Sequence, residues 1–102
     1  MRPLLLGSAL ALALGVSPAF ATTIEVTIDK LVFSPGSVQA KVGDTIEWTN
    51  KDMFAHTATV KGAWDVMIPA KSKGKVTLKT AGAVDYFCRF HPNMRGRVEV
   101  AP

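Results

Sequence analysis

The chain has 102 residues, 48% hydrophobic and 20% charged, with a formal net charge of +4, which leaves room for one globular domain and excludes a disordered polyelectrolyte. One cysteine excludes an internal disulfide framework. Two histidines are too few for the trinuclear or type 2 centres of a multicopper enzyme, and no catalytic triad, paired acid/base site or phosphate loop offers a different one, so the chain reads as a non-enzyme.

The first residues carry an export signal. Met1-Arg2-Pro3 supplies a positive end, Leu4 to Val16 is an uncharged apolar run, and Ala19-Phe20-Ala21 has the small-x-small form of a cleavage site. The run falls short of the ~20 residues that span a bilayer, so residues 1–21 are expected to be a cleaved signal peptide and residues 22–102 the working domain. That domain is expected in the periplasm, as a monomer, with no attachment to the membrane. Export also argues against the nucleic-acid partner that a basic balance would otherwise suit.

From there the periodicity is that of strands. Ile24, Val26 and Ile28 alternate with Glu25, Thr27 and Asp29, one face for a core and one for water. Phe33-Ser34-Pro35-Gly36 turns the chain. Val38, Ala40 and Val42 resume the alternation, Gly43-Asp44 turns it again, and Ile46 and Trp48 mark the next strand. Asn50-Lys51-Asp52 opens a loop running to His56. Residues 57–61 read as a short strand, 64–68 as another or an irregular crossing, and 74–80 as a strand with Val76 and Leu78 inward. After a turn at Ala81-Gly82, Val84, Tyr86 and Cys88 share one face, and Val98 and Val100 lie in a closing strand after Gly96. Trp48, Trp64 and Met67 read as packing residues, and Lys71, Lys73, Lys75 and Lys79 as a solvated face. Seven or eight short strands with turn signals between them predict an all-β fold, an antiparallel β-sandwich with Greek-key connections.

One stretch carries chemistry. In Cys88-Arg89-Phe90-His91-Pro92-Asn93-Met94 the only cysteine, one of two histidines and a methionine stand three residues apart. Thiolate and thioether favour Cu(I), and imidazole also tolerates Cu(II). Two histidines and a cysteine with a weak axial methionine form the donor set of a blue-copper electron-transfer site. The loop supplies three of the four donors, and His56 is the one histidine left to complete the set. The candidate ligands are therefore His56, Cys88, His91 and Met94, holding one copper that cycles between Cu(I) and Cu(II). A bound metal would protect a lone exported thiol and staple a small domain. The structural alternative is that Cys88 is a small buried hydrophobe, as unpaired cysteines often are.

The chain resembles the cupredoxins over nearly all of residues 22–102. The resemblance rests on Phe33-Ser34-Pro35, the run from Val42 to Asn50, Asp52 with His56-Thr57, Tyr86-Phe87-Cys88, His91-Pro92-Asn93-Met94 and the run from Gly96 to Val100. The compact Cys-x-x-His-x-x-Met loop is similar to that of the amicyanin group. The resemblance implies His56, Cys88 and His91 as strong ligands and Met94 as the weak axial one. Two departures stand out: the segment between His56 and Cys88 is short, and Thr57 replaces an asparagine that commonly braces the cysteine loop. A threonine hydroxyl can still bond across to that loop.

The function expected is a mobile one-electron carrier between a redox donor and acceptor, such as a dehydrogenase, a c-type cytochrome or an oxidase. Docking is expected near His91, on an apolar patch of Met53, Phe54, Phe90 and Pro92 rimmed by Arg89, Arg95, Arg97 and Lys51, which would favour an acidic partner. The competing reading is a periplasmic protein that delivers or buffers copper. That role calls for an exposed, methionine-rich site, which this chain lacks.

Overall fold

The structure is a computed structural model that describes residues 20–102. The expected leader lies outside the described residues except for Phe20 and Ala21, both exposed. Nine strands follow: β1 (Thr23–Asp29), β2 (Val32–Ser34), β3 (Ser37–Lys41), β4 (Thr45–Asn50), β5 (His56–Val60), β6 (Trp64–Ile68), β7 (Lys73–Thr77), β8 (Gly82–Cys88) and β9 (His91–Ala101). They form two sheets, ordered β2-β1-β4-β7 and β3-β9-β8-β5-β6. The all-β sandwich is as expected.

Its pairing is not wholly antiparallel. β1 runs parallel to β4, with Ile24 opposite Ile46 and Val26 opposite Trp48, and β3 runs parallel to β9, with Val38 opposite Val98. Alternation tells which face of a strand is buried and says nothing of its neighbour's direction. The chain leaves one sheet at Ser34, crosses to the other for β3 and returns for β4, which is how strands so close in sequence come to pair in parallel. The ninth strand is β2, three residues that the turn signal at Phe33 to Gly36 concealed. β6 is regular, with Ile68 buried and Trp64 and Val66 half-buried on one face. Its alternation turns Met67 outward, where it is 49% exposed, so Met67 is not the packing residue expected.

Between the sheets, Trp48 and Tyr86 are fully buried with Ile28, Ile46, Ile68, Val26 and Val98. Burying two such rings stabilises the fold by about 4 kcal/mol or more each. Their polar ends meet: Trp48 Nε1 donates to Tyr86 Oη at 3.2 Å. Trp64 and Phe33 pack on the same cluster, with ring centres 5.9 and 4.8 Å from Tyr86. Tyr86 lies opposite Gly96 in the β8/β9 ladder, and a Cβ at Gly96 would overlap the tyrosine ring. The missing side chain there is what admits Tyr86.

Candidate metal centre

β8 and β9 are joined by the two residues Arg89 and Phe90, with Cys88 paired to His91 across the turn and an irregularity at Phe87/Cys88. This tight hairpin brings the sulfur and one imidazole together: Cys88 Sγ stands 3.9 Å from His91 Nδ1. β5 lies beside β8 in the same sheet and starts at His56, so its first side chain reaches the same end of the sandwich. His56 Nδ1 is 3.7 Å from Cys88 Sγ. The three donor atoms all lie within 4.8 Å of one another, with His56 and Cys88 fully buried and His91 half-buried. Met94, three residues further along β9, is buried at 4% exposure in the same apolar cluster as Cys88.

Each group is held from behind. Asn50 accepts the N–H of Asp52 at 2.8 Å and donates to the carbonyl of Phe54 at 2.9 Å, folding the loop that leads to β5. Asp52 Oδ2 then meets His56 Nε2 at 2.8 Å. A carboxylate can only accept, so Nε2 donates this bond, which in the neutral ring leaves the Nδ1 lone pair on the side of the sulfur. The same carboxylate accepts the N–H of Lys30 at 2.7 Å and of Leu31 at 3.0 Å. Those two residues form the β1–β2 turn with φ of 53° and 65°, a left-handed turn ordinarily built from Asn and Gly. Burial pushes the Asp52 carboxyl up, but the Leu31 N–H, His56 and the Lys30 N–H outweigh it, and the group lies below the usual carboxylate range.

Thr57 secures the sulfur side. Its N–H donates to Cys88 Sγ at 3.4 Å, and its Oγ1 accepts the N–H of Arg89 at 2.9 Å, so the hydroxyl does bond across to the cysteine loop. Phe54 packs edge-on against His56 and tilted against His91, with centroids 5.3 and 5.8 Å away.

The two sulfur–nitrogen separations suit a metal. A first-row ion with bonds of about 2.0 Å to nitrogen and 2.3 Å to sulfur, set at about 120°, holds a nitrogen and the sulfur about 3.7 Å apart. Two imidazoles and one sulfur make a donor set that suits copper.

Sequence reasoning missed the anchors. Asp52 was visible four residues before His56 but carried no sign that it also closes the Lys30-Leu31 turn, and nothing marked Asn50 as the hub of its loop. The expected docking rim also changes. Arg97 stands opposite Asp85 and Ser37 in the middle of the sheet and is bonded to Asp85 at 3.0 Å and Glu99 at 3.3 Å. It lies six residues along β9 from His91, or ~20 Å of strand, too far to rim that patch.

The comparisons with known proteins agree with this geometry. The sequence model for the Cupredoxin-like domain matches residues 4–100, and the chain belongs to that family. Within it, the chain is similar to amicyanins. It is 33% identical to amicyanin of Paracoccus denitrificans over 76% of this chain and 64% of that protein, so the match spans slightly less than two thirds of that relative's length. It is 32% identical to amicyanin-alpha of Methylorubrum extorquens, covering 83% of this chain and 77% of that one. The crystal structure of amicyanin from Paracoccus versutus superposes with a TM-score of 0.68 at 33% identity, over 84% of this chain and 86% of the other.

Proposed function

We propose that the chain is a periplasmic single-electron carrier, made with a leader over residues 1–21 and working as a monomer over 22–102. One copper would be held by His56, Cys88 and His91, with Met94 as a weak fourth donor. When bound, that ion supplies a one-electron Cu(I)/Cu(II) couple. An amicyanin variant of known structure is described in its Cu(I) form, which supports the same ion here.

The observation that carries the reading is the convergence of His56 and Cys88 from separate strands to 3.7 Å while both are fully buried. Groups held so firmly cannot follow an ion's changing preferences, so little rearrangement would accompany gain or loss of an electron. Phe54 and Phe90, each 48% exposed, flank the half-buried His91 and offer an apolar face for a weak, close encounter. Arg89, which follows Cys88, and Lys51, in the loop before His56, would add positive charge at this end, which favours redox partners with acidic docking sites. A relative 31% identical over 99% of this chain is named methylamine utilization protein MauL, and a dehydrogenase or cytochrome partner fits that setting. The chain would act as carrier rather than enzyme.

Repeated reduction and reoxidation of the copper-loaded domain, with the metal measured after each cycle, tests this. The expected result is a reversible one-electron couple with the copper retained. Prompt loss of Cu(I) to a competing chelator, with no reversible couple, would favour copper delivery instead.

A further inference from the structure

Behind Thr57 a chain of hydrogen bonds runs to the surface and back. Thr57 Oγ1 lies 3.0 Å from Thr59 Oγ1. The Thr59 hydroxyl donates to Asp65 Oδ1 at 2.6 Å, the length of a charge-assisted bond. Asp65 Oδ1 also accepts from Arg89 Nε at 3.0 Å, and the N–H of that same arginine donates to Thr57 Oγ1 at 2.9 Å. The ring therefore joins β5, β6 and the residue that follows Cys88.

The ring has a direction, and Asp65 sets it. Thr59 has one hydroxyl proton, and the carboxylate takes it. Thr59 Oγ1 can then only accept from Thr57, whose proton points away from the metal centre and whose lone pairs face the Arg89 N–H. Bonds to the Thr59 hydroxyl and then to Arg89 hold the Asp65 carboxyl below its ordinary range, so the ionised form that orders the chain is the resident one.

We propose that Asp65 is a positioning residue of the metal centre, acting through Thr59 and Thr57 on the Cys88–Arg89 peptide and on the hydrogen bond to the cysteine sulfur. The effect on copper rests on Cys88 being a ligand, as proposed above. The Asp65–Arg89 pair is half exposed, its side chains 52% and 41% accessible, and such pairs contribute little to global stability. A purely structural role would therefore leave a different trace from the one expected.

The test compares Asp65→Ala, Asp65→Asn, Thr59→Val and the Asp65→Ala/Thr59→Val double variant. In the copper-free protein, amide exchange at Arg89 is expected to speed up about tenfold in Asp65→Ala and in Thr59→Val at a nearly unchanged melting temperature. The double variant should go no further than either single one, because both break the same chain. Asp65→Asn keeps an acceptor oxygen and should change least. In the copper-loaded protein the ratio of Cu(II) to Cu(I) affinity is expected to move about tenfold in the same order of variants, equivalent to about 59 mV for one electron. Wild-type exchange at Arg89 in Asp65→Ala, or effects of the two single variants that simply add, would overturn the proposal. If the metal reading failed, with no thiolate signature in the loaded wild type, the copper-free exchange experiment would still decide the hydrogen-bond claim.

Discussion

Gly96 shows how much one missing side chain does in this domain. Tyr86, 1% exposed, lies across its backbone, and its ring is hemmed in by the buried Trp48 and Phe33 and the half-buried Trp64. There is nowhere for the ring to retreat. Gly96→Ala is expected to destabilise the copper-free domain by about 3 kcal/mol, at the upper end for an overpacked core, seen as a lowered urea midpoint with an unchanged m-value. A variant of wild-type stability would mean that Tyr86 can repack. Two carboxylates give the fold its acid limit. The N–H of Thr22, then the N–H and ammonium of Lys41, hold Asp44 down from an ordinary 3.8 to about 2 against the effect of its burial, and Asp52 is lowered as well. A carboxylate whose folded pKa is depressed contributes its stability above the unfolded pKa and loses it as pH falls through the folded one. The melting temperature should thus decline steadily from pH about 4 to about 2, less steeply in Asp44→Asn. A flat profile over that range would contradict it.

At the scale of elements, the site belongs to the start of β5 and the β8–β9 turn. Alternation in the sequence made β8 legible, because Val84, Tyr86 and Cys88 fall on one face, and the spacing of Cys88, His91 and Met94 announced a tight loop. β5 was harder to read: His56, Thr57, Ala58 and Thr59 are all buried, so no alternation marks them. Their polar groups are satisfied by Asp52, Asp65 and the cysteine loop, which only the fold brings near. The Lys30-Leu31 turn escaped for a related reason. Its left-handed backbone is stabilised by a carboxylate 21 or more residues away, where a local turn signal would have been glycine or asparagine. Met67 is apolar, but Trp64, Val66 and Ile68 alternate around it, and that phase turns it to solvent. The docking face proposed above lies at the same end of the fold. With Arg89 and Lys51 on the proposed docking face, the second-order rate of electron transfer to an acidic partner should fall as salt is added. Lys51→Glu should lower the rate at low salt and flatten that dependence. A rate indifferent to ionic strength would remove the basic rim from the account.

For the molecule as a whole, the sandwich provides a fixed platform, and the candidate ligands stand together at one end of its five-stranded sheet, on β5, β8 and β9. Class and core were readable from period and turn residues; strand direction was not, since β1/β4 and β3/β9 pair in parallel only because the chain changes sheets between them. Everything functional rests on one sulfur and two imidazoles acting on one ion. Titration of the domain over residues 22–102 with Cu(II), followed by visible absorption, tests that most directly. One equivalent should produce an intense thiolate-to-copper charge-transfer band that is absent in Cys88→Ser and greatly weakened in His56→Ala. Stoichiometric Cu(II) binding without that band, or a band that survives Cys88→Ser, would contradict it.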